Sequence, residues 1–545
     1  MHITRRKLLL GATSAAAAIV TTVGLLVPGN ATGQAPGRPS TGTTVSVAQG
    51  RLHGAAATNY DAWLGIPYAA PPIGAFRWQA PRPAAHWSGT RDATHFGNRC
   101  VQGTGWDPGY ETPKLTEDCL YLNVYAPDTV RRDLPVLVWI HGGGFTGGAG
   151  QDTDPRRYVQ KNDSIVVTIN YRLGILGFLN LPQLGTGAGN FGLLDQQAAL
   201  RWLSRNIGAF GGDPHDITIA GQSAGGASVC DQLASPTAKG LFEKAVIVSG
   251  GCSMQSAASG QQAGARVVSA LGCANAADVL RCLRDVSPSA ILAAQASGVG
   301  SGPSLGGAAF PLDPADAVTT GRINRVPVIN GQVHDENRLF VFGAYDYAGN
   351  PITPAMYTNL VNSTFGSSAP AVLARYPLAD YPSPSIAWAT IQSDQGSEAR
   401  KVLDDNLSRW TRTYAYEFHV EDTPQFASIF RLQQTNAVAK AFPFGATHVD
   451  DLPYLWEYLG QTLPLTDDEL ALSDQITDYW NNFQRTGDPN GDGNPVWHHY
   501  TANSPTWFEE QACATDPAND DLPGACSVSG TGYLTDHQVA FWASM

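Results

Sequence analysis

Asp216-Ile-Thr-Ile-Ala-Gly221-Gln222-Ser223-Ala224-Gly225-Gly226 decides how the rest of this chain is read. Its first half has the β-branched, apolar character of a buried strand, and its second half is a run of small residues suited to a closely packed helix. Between them stands Gly-x-Ser-x-Gly. In that setting the pentapeptide predicts a sharp strand-to-helix elbow with the serine at its apex. Such a turn crowds the backbone, so only residues lacking Cβ fit on either side of Ser223. The serine is then a candidate nucleophile with its hydroxyl pointing outward.

Three further segments give that serine a chemical context. Upstream, Pro135-Val-Leu-Val-Trp-Ile-His141-Gly142-Gly143-Gly144-Phe145 runs from an apolar strand into a glycine loop. Acyl transfer passes through a tetrahedral oxyanion that preorganised N–H groups stabilise, each such donor being worth about 3–4 kcal/mol. The candidate donors are the amides of Gly143, Gly144 and Ala224. Downstream, Val326-Pro-Val-Ile-Asn-Gly331-Gln-Val-His334-Asp335-Glu336-Asn337 is a short strand ending in a turn with two carboxylates. Further on, Gly445-Ala-Thr-His448-Val-Asp450-Asp451 sets a lone histidine in a loop. Serine is a poor nucleophile at neutral pH, so an imidazole must take its proton and a carboxylate must hold that imidazole in the right tautomer. The order Ser, acid, His is that of α/β-hydrolases. The residues alone leave Asp335 and Glu336 as rival acids.

Taken together these motifs resemble the type-B carboxylesterase/lipase family, the cholinesterase-like branch of the α/β-hydrolases. The resemblance extends over Gly65-Ile-Pro-Tyr-Ala-Ala-Pro-Pro, Glu117-Asp-Cys119-Leu-Tyr-Leu-Asn-Val, Asn170-Tyr-Arg172-Leu-Gly, Gly189-Asn-Phe-Gly-Leu-Leu-Asp195 and Phe210-Gly-Gly-Asp-Pro214. It implies an α/β-hydrolase fold: a large, mostly parallel sheet flanked by helices, with insertions around an active-site gorge. It also implies Ser223 as nucleophile, Glu336 as acid and His448 as base, and structural ion pairs Arg77–Glu117 and Arg172–Asp195. The family pairs cysteines in the positions of Cys100 with Cys119 and of Cys273 with Cys282. Cys513 with Cys526 would close a C-terminal loop without family precedent, and Cys230 and Cys252 either pair or stay as buried thiols.

Three departures stand out. Gln222 replaces the Glu of many relatives, which removes a negative charge beside the nucleophile and lowers any preference for cationic alcohol groups. Asn337 follows the acid where Gly is usual. Gly298 to Pro311 is Gly/Ser-rich where relatives border their gorge. Trp106, in the first cysteine loop, reads as a wall or rim aromatic.

The bounds agree with a secreted enzyme. The chain has 545 residues, no repeat and no evident linker, so residues 36–545 read as one hydrolase unit. Residues 1–35 read as a leader: Arg5-Arg6-Lys7 opens a twin-arginine-type export pattern before a mild apolar run to Val27. Its removal takes the net charge from −13 to about −16, an acidic balance that argues against nucleic acid and anionic membrane as partners. No stable membrane insertion is expected of the mature chain. Eight cysteines suit an oxidising compartment.

Strands are expected at Val136–Ile140, Ile165–Tyr171, Ile217–Ala220, Ala245–Ser249, Pro327–Asn330 and Thr413–His419, and helices at Asp195–Ile207, Ala224–Ala234 and Asp474–Arg485. Asp488-Pro-Asn490-Gly-Asp492 resembles half a calcium loop, but His499 stands where the bidentate Glu belongs, so no metal and no cofactor are expected. The expected function is a secreted serine carboxylester hydrolase acting on a small-molecule or lipid-like ester. A triacylglycerol lipase or sterol esterase is the alternative, and a binding-only cholinesterase-like protein is disfavoured because every triad position is filled.

Overall fold

The computed structural model describes residues 43–103, 114–129, 132–185, 187–421, 423, 436–458, 464–510 and 532–545. The leader, Trp106, Cys513 and Cys526 lie outside these residues.

A ten-stranded sheet organises the chain. Its strands, in chain order, are β1 (Ala55–Ala57), β2 (Tyr60–Pro67), β3 (Tyr121–Pro127), β4 (Leu134–Ile140), β5 (Ile165–Ile169), β6 (Gly212–Gln222), β7 (Lys244–Val248), β8 (Val328–Val333), β9 (Thr413–Phe418) and β10 (Trp507–Glu510). Across the sheet the order is β10-β9-β8-β7-β6-β4-β5-β3-β2-β1. From β10 to β5 every neighbouring pair is parallel, and β3, β2 and β1 continue the sheet antiparallel. The parallel strands are continuous apolar runs because both faces are covered. β4 and β7 are buried at every residue.

Alternation along the strands divides the core in two. Val136, Val138 and Ile140 of β4 face one cluster with Ile217, Ile219, Ala245 and Ile247. Leu137 and Trp139 face the other with Ala220, Val246, Val248 and Ile329. Helices α1 (Phe191–Asn206) and α2 (Ala224–Ala234) cover the first face through Leu200, Leu203, Val229 and Leu233. The second face is covered by α4 (Asp467–Thr486) through Leu472, Ile476, Trp480 and Phe483. Between them in sequence, the 25-residue helix α3 (Pro384–Ser408) packs beside β8 and β9. Two short C-terminal helices, α5 (Gly532–Asp536) and α6 (Val539–Ala543), close the chain.

Most expected elements stand within a few residues of their positions, with two informative differences. β6 begins five residues earlier than expected, at Gly212, by pairing with Leu134 across a register shift. α4 begins at Asp467 instead of Asp474. A capping box starts it: the Thr466 hydroxyl accepts the Glu469 N–H at 3.3 Å and Glu469 accepts the Thr466 N–H at 2.7 Å.

The ion pairs form. Arg77 holds Glu117 through two bonds of 2.5 and 2.6 Å, and Arg172 grips Asp195 at 2.7 Å on both oxygens. Disulfides join Cys100–Cys119, Cys230–Cys252 and Cys273–Cys282, which resolves the open pair. Asp488 folds onto Asn490, accepting from its N–H and side-chain amide, and His498 and His499 are exposed.

Candidate active site

β6 ends at Gln222, and Ser223 follows with φ 59° and ψ −122° before α2 starts at Ala224. A non-glycine residue at positive φ is strained by roughly 1–3 kcal/mol and persists only where its surroundings fix it. Here the Ser223 N–H donates to Val248 O at 2.9 Å, and its carbonyl receives the Ala227 N–H at 2.8 Å. The flanking glycines are sterically required. A Cβ on Gly225 would lie 1.9 Å from Ile140 O, and one on Gly221 would lie 2.5 Å from the Gly225 carbonyl carbon.

The glycine loop leaves β4 at Ile140 and runs beside this elbow. A Cβ on Gly142 would meet the Ser223 Cβ at 3.1 Å. His141 anchors the loop. Its ring stacks on Tyr171 at 4.4 Å, its Nδ1–H donates to Gly142 O at 2.8 Å, and its carbonyl accepts the Tyr171 hydroxyl at 2.8 Å. Burial pushes the imidazole down to about 4, so it stays neutral. Beyond it the backbone turns through Gly143 (φ 101°), Gly144 (φ 59°) and Phe145 (φ 60°). The amides of Gly143, Gly144 and Ala224 donate to no acceptor among the described residues, so these three N–H groups are free to receive a ligand oxygen.

Glu336 and His448, 112 residues apart, meet as a 2.6 Å contact between Oε2 and Nδ1. The turn after β8 separates the two rival carboxylates. Asp335 points the other way, pairing with Arg338 at 2.9 Å and accepting the Ala446 N–H at 3.2 Å. It thereby stitches the acid turn to the histidine loop, as do Asp335 N–H to Ala446 O at 2.8 Å and Leu339 N–H to the Thr447 hydroxyl at 2.9 Å. Glu336 is left to face the imidazole.

His448 Nε2 is buried and takes no hydrogen bond among the described residues. The contact between imidazole and serine hydroxyl is therefore not closed as a hydrogen bond in this structure; in unliganded hydrolases such contacts are often long and tighten with substrate. Gln222 joins the two loops instead, donating its side-chain amide to His448 O at 2.6 Å. Phe340, a partly exposed ring, lies 4.6 Å from the imidazole.

Two contributors escaped the sequence reading. In the sequence Gln222 stands out only for the charge it lacks. Asp451, three residues past His448, is fully buried and receives the Tyr416 hydroxyl at 3.1 Å. Burial first, then the charge of Glu336, raises its carboxyl to about 7. The only signal for it in the sequence is the doubled Asp450-Asp451. Among the described residues, no group of three or more His, Cys, Asp or Glu side chains is arranged to hold a metal ion.

Known proteins share this architecture. The sequence profile of the Carboxylesterase family matches residues 41–523. A para-nitrobenzyl esterase of Bacillus subtilis (strain 168) is 32% identical over 507 residues, covering 87% of this chain and 97% of its own. An acetylcholinesterase of Bungarus fasciatus is 30% identical over 84% of this chain and 80% of its own. A solved PNB esterase structure superposes with a TM-score of 0.74 at 28% identity, covering 92% of this chain and 99% of its own. With the sheet order, the serine elbow and these relatives in agreement, the chain belongs to the carboxylesterase family, the type-B carboxylesterase/lipase group of α/β-hydrolases, and is a carboxylester hydrolase.

Proposed function

We propose that this enzyme hydrolyses carboxylic esters through an acyl-enzyme on Ser223, with His448 as base, Glu336 as its orienting acid and the amides of Gly143, Gly144 and Ala224 as the oxyanion hole. The observation that carries this reading is the 2.6 Å Glu336–His448 contact, which leaves Nε2 of the same ring without a partner among the described residues. His448 takes the hydroxyl proton as Ser223 Oγ attacks the carbonyl carbon. The tetrahedral oxyanion collapses, the alcohol leaves with the proton from Nε2, and an acyl-serine remains. Water then attacks, again giving its proton to His448, and the carboxylic acid departs as the Ser223 hydroxyl is restored.

Neutral esters are the favoured substrates, because residue 222 places an amide where a carboxylate would attract a cationic alcohol. The Arg5-Arg6 leader and the three disulfides support secretion. The test is covalent labelling by an organophosphonate, mapped by peptide mass, with turnover of p-nitrophenyl esters of graded chain length. Label on Ser223, lost together with turnover in Ser223→Ala, supports the proposal. Full turnover in that variant overturns it. Activation at an oil–water interface would assign a lipase instead. Retention in the cytoplasm is expected when Arg5 and Arg6 are both replaced by Lys.

A further inference from the structure

Behind the acid turn lies a buried histidine that the proposed mechanism does not use. His537 connects α5 to α6 and is 1% exposed. Both ring nitrogens face carboxylates: Nδ1 is 2.9 Å from Asp394 Oδ1 on α3, and Nε2 is 2.6 Å from Glu417 Oε1 on β9. These carboxylates are themselves buried, so an imidazole touching both carries a proton on each nitrogen. Glu417 and Asp394 recruit other donors besides: Gln332 Nε2 at 3.0 Å and His419 Nε2 at 2.8 Å to Glu417, and the Tyr376 hydroxyl at 2.8 Å to Asp394.

The same elements hold the turn that carries Glu336. Ser393, the neighbour of Asp394, accepts the Asn337 N–H at 3.0 Å, immediately after the acid. Ser397, one turn on, accepts the Gln332 amide at 2.7 Å through its hydroxyl and the Tyr533 hydroxyl at 2.9 Å through its carbonyl. His334 donates its backbone N–H to Phe418 O at 2.9 Å, and its ring lies 4.8 Å from the rings of both His419 and His537. The acid turn, α3, β9 and the C-terminal helices therefore meet on one charged cluster.

We propose that His537 is a positioning residue: as an imidazolium clamped between Asp394 and Glu417, it locks the C-terminal helices beneath the turn that presents Glu336. The role it supports rests on the reading of Glu336 as the triad acid. Burial alone would lower its proton affinity, but Glu417 and then Asp394 outweigh it and raise His537 to about 10. The groups around it are Asp394 and Arg400 of α3, Glu417 of β9 and His419 just past its end, His334 of the acid turn, Glu509 of β10, and Tyr533 and Asp536 of its own segment. Because the folded value lies above the ordinary 6.5, the clamp is complete below 6.5 and is lost as pH rises through about 10. Loss of the proton leaves Glu417 and Asp394 facing a ring that can donate to only one of them.

The experiment follows hydrogen–deuterium exchange of residues 532–545, corrected for intrinsic base catalysis, beside kcat and KM, from pH 7 to 11 on the full-length enzyme. In the wild type, exchange rises and kcat falls together near pH 10, with KM within about threefold. In His537→Gln the same two changes, a tenfold or greater loss of kcat included, are already present at pH 8. Adding Glu417→Gln removes the stranded charge and returns at least part of kcat. Wild-type exchange and kcat in His537→Gln would overturn the proposal, as would increased exchange with an unmoved kcat profile. If the variant does not fold, the wild-type pH series decides: an alkaline limb in kcat without loss of protection at 532–545 overturns it. Glu336→Gln separates the two readings. Full turnover in that variant would remove the triad assignment while leaving the exchange result to stand for the clamp itself.

Discussion

Gln222 reaches across the elbow to His448, donating its side-chain amide to the histidine's backbone carbonyl at 2.6 Å. The residue before the nucleophile thus holds the main chain of the base. A carboxylate could not make this bond unless protonated. Replacing Gln222 with Met keeps the volume and removes the donor. One lost buried hydrogen bond is worth about 1–1.5 kcal/mol, so kcat should fall about tenfold with KM little changed. Steady-state kinetics on a p-nitrophenyl ester measure this, and an unaltered kcat would show that the elbow holds His448 without help.

The neighbours Asp335 and Glu336 should respond in opposite ways. Glu336→Gln keeps the shape but removes the charge that stabilises the imidazolium, so kcat should drop by roughly three to four orders of magnitude with an unchanged melting temperature. Asp335→Asn breaks the pair with Arg338, a contact that is partly exposed on the arginine side. It should cost about 2 kcal/mol of stability and leave kcat within about tenfold. Thermal melts and kinetics on both variants separate the roles. The reverse pattern would exchange the assignments.

Gly225 and Gly396 make a matched pair for testing the elbow's steric demand. A Cβ at 225 would sit 1.9 Å from a backbone oxygen, whereas one at 396, inside α3, meets nothing within 4 Å. Gly225→Ala should lose more than about 3 kcal/mol or fail to accumulate as soluble protein. Gly396→Ala should gain about 0.5–1 kcal/mol from helix propensity. Chemical denaturation reports both.

Asp451 gives a pH signature in stability. Its carboxyl, raised to about 7 in the folded enzyme by burial and by Glu336, starts from 3.8 in the unfolded chain. The neutral form is therefore the one the fold favours. Its contribution is complete below 3.8 and is lost as pH rises through about 7. Asp451→Asn mimics that neutral form, so its melting temperature should match the wild type near pH 4 and exceed it by a few degrees at pH 8. Equal melting temperatures across this range would mean that Asp451 is solvated in solution.

What the sequence disclosed follows from how local each signal is. The elbow, the glycine loop and the apolar strands are written in consecutive residues, and they fell at or within a few residues of their expected places. The start of α4 was obscured because Asp467, Asp468 and Glu469 look like loop until Thr466 is recognised as a reciprocal cap. The choice between Asp335 and Glu336 is not local: it depends on Arg338 and on Ala446, more than a hundred residues away. The burial of Asp451 and the clamp at His537 depend likewise on β9 and α3 arriving beside them. In composition these residues are indistinguishable from solvated surface charge.

The three disulfides have a consequence for how the chain is oxidised. Their partners stand 19, 22 and 9 residues apart, and the pairs follow one another without nesting or crossing. Among the described residues, each cysteine is bonded to an immediate cysteine neighbour along the chain. An indiscriminate oxidant that meets the whole chain and joins sequence neighbours would thus write the native pattern directly, and maturation would draw little on an isomerase to shuffle mistaken bonds.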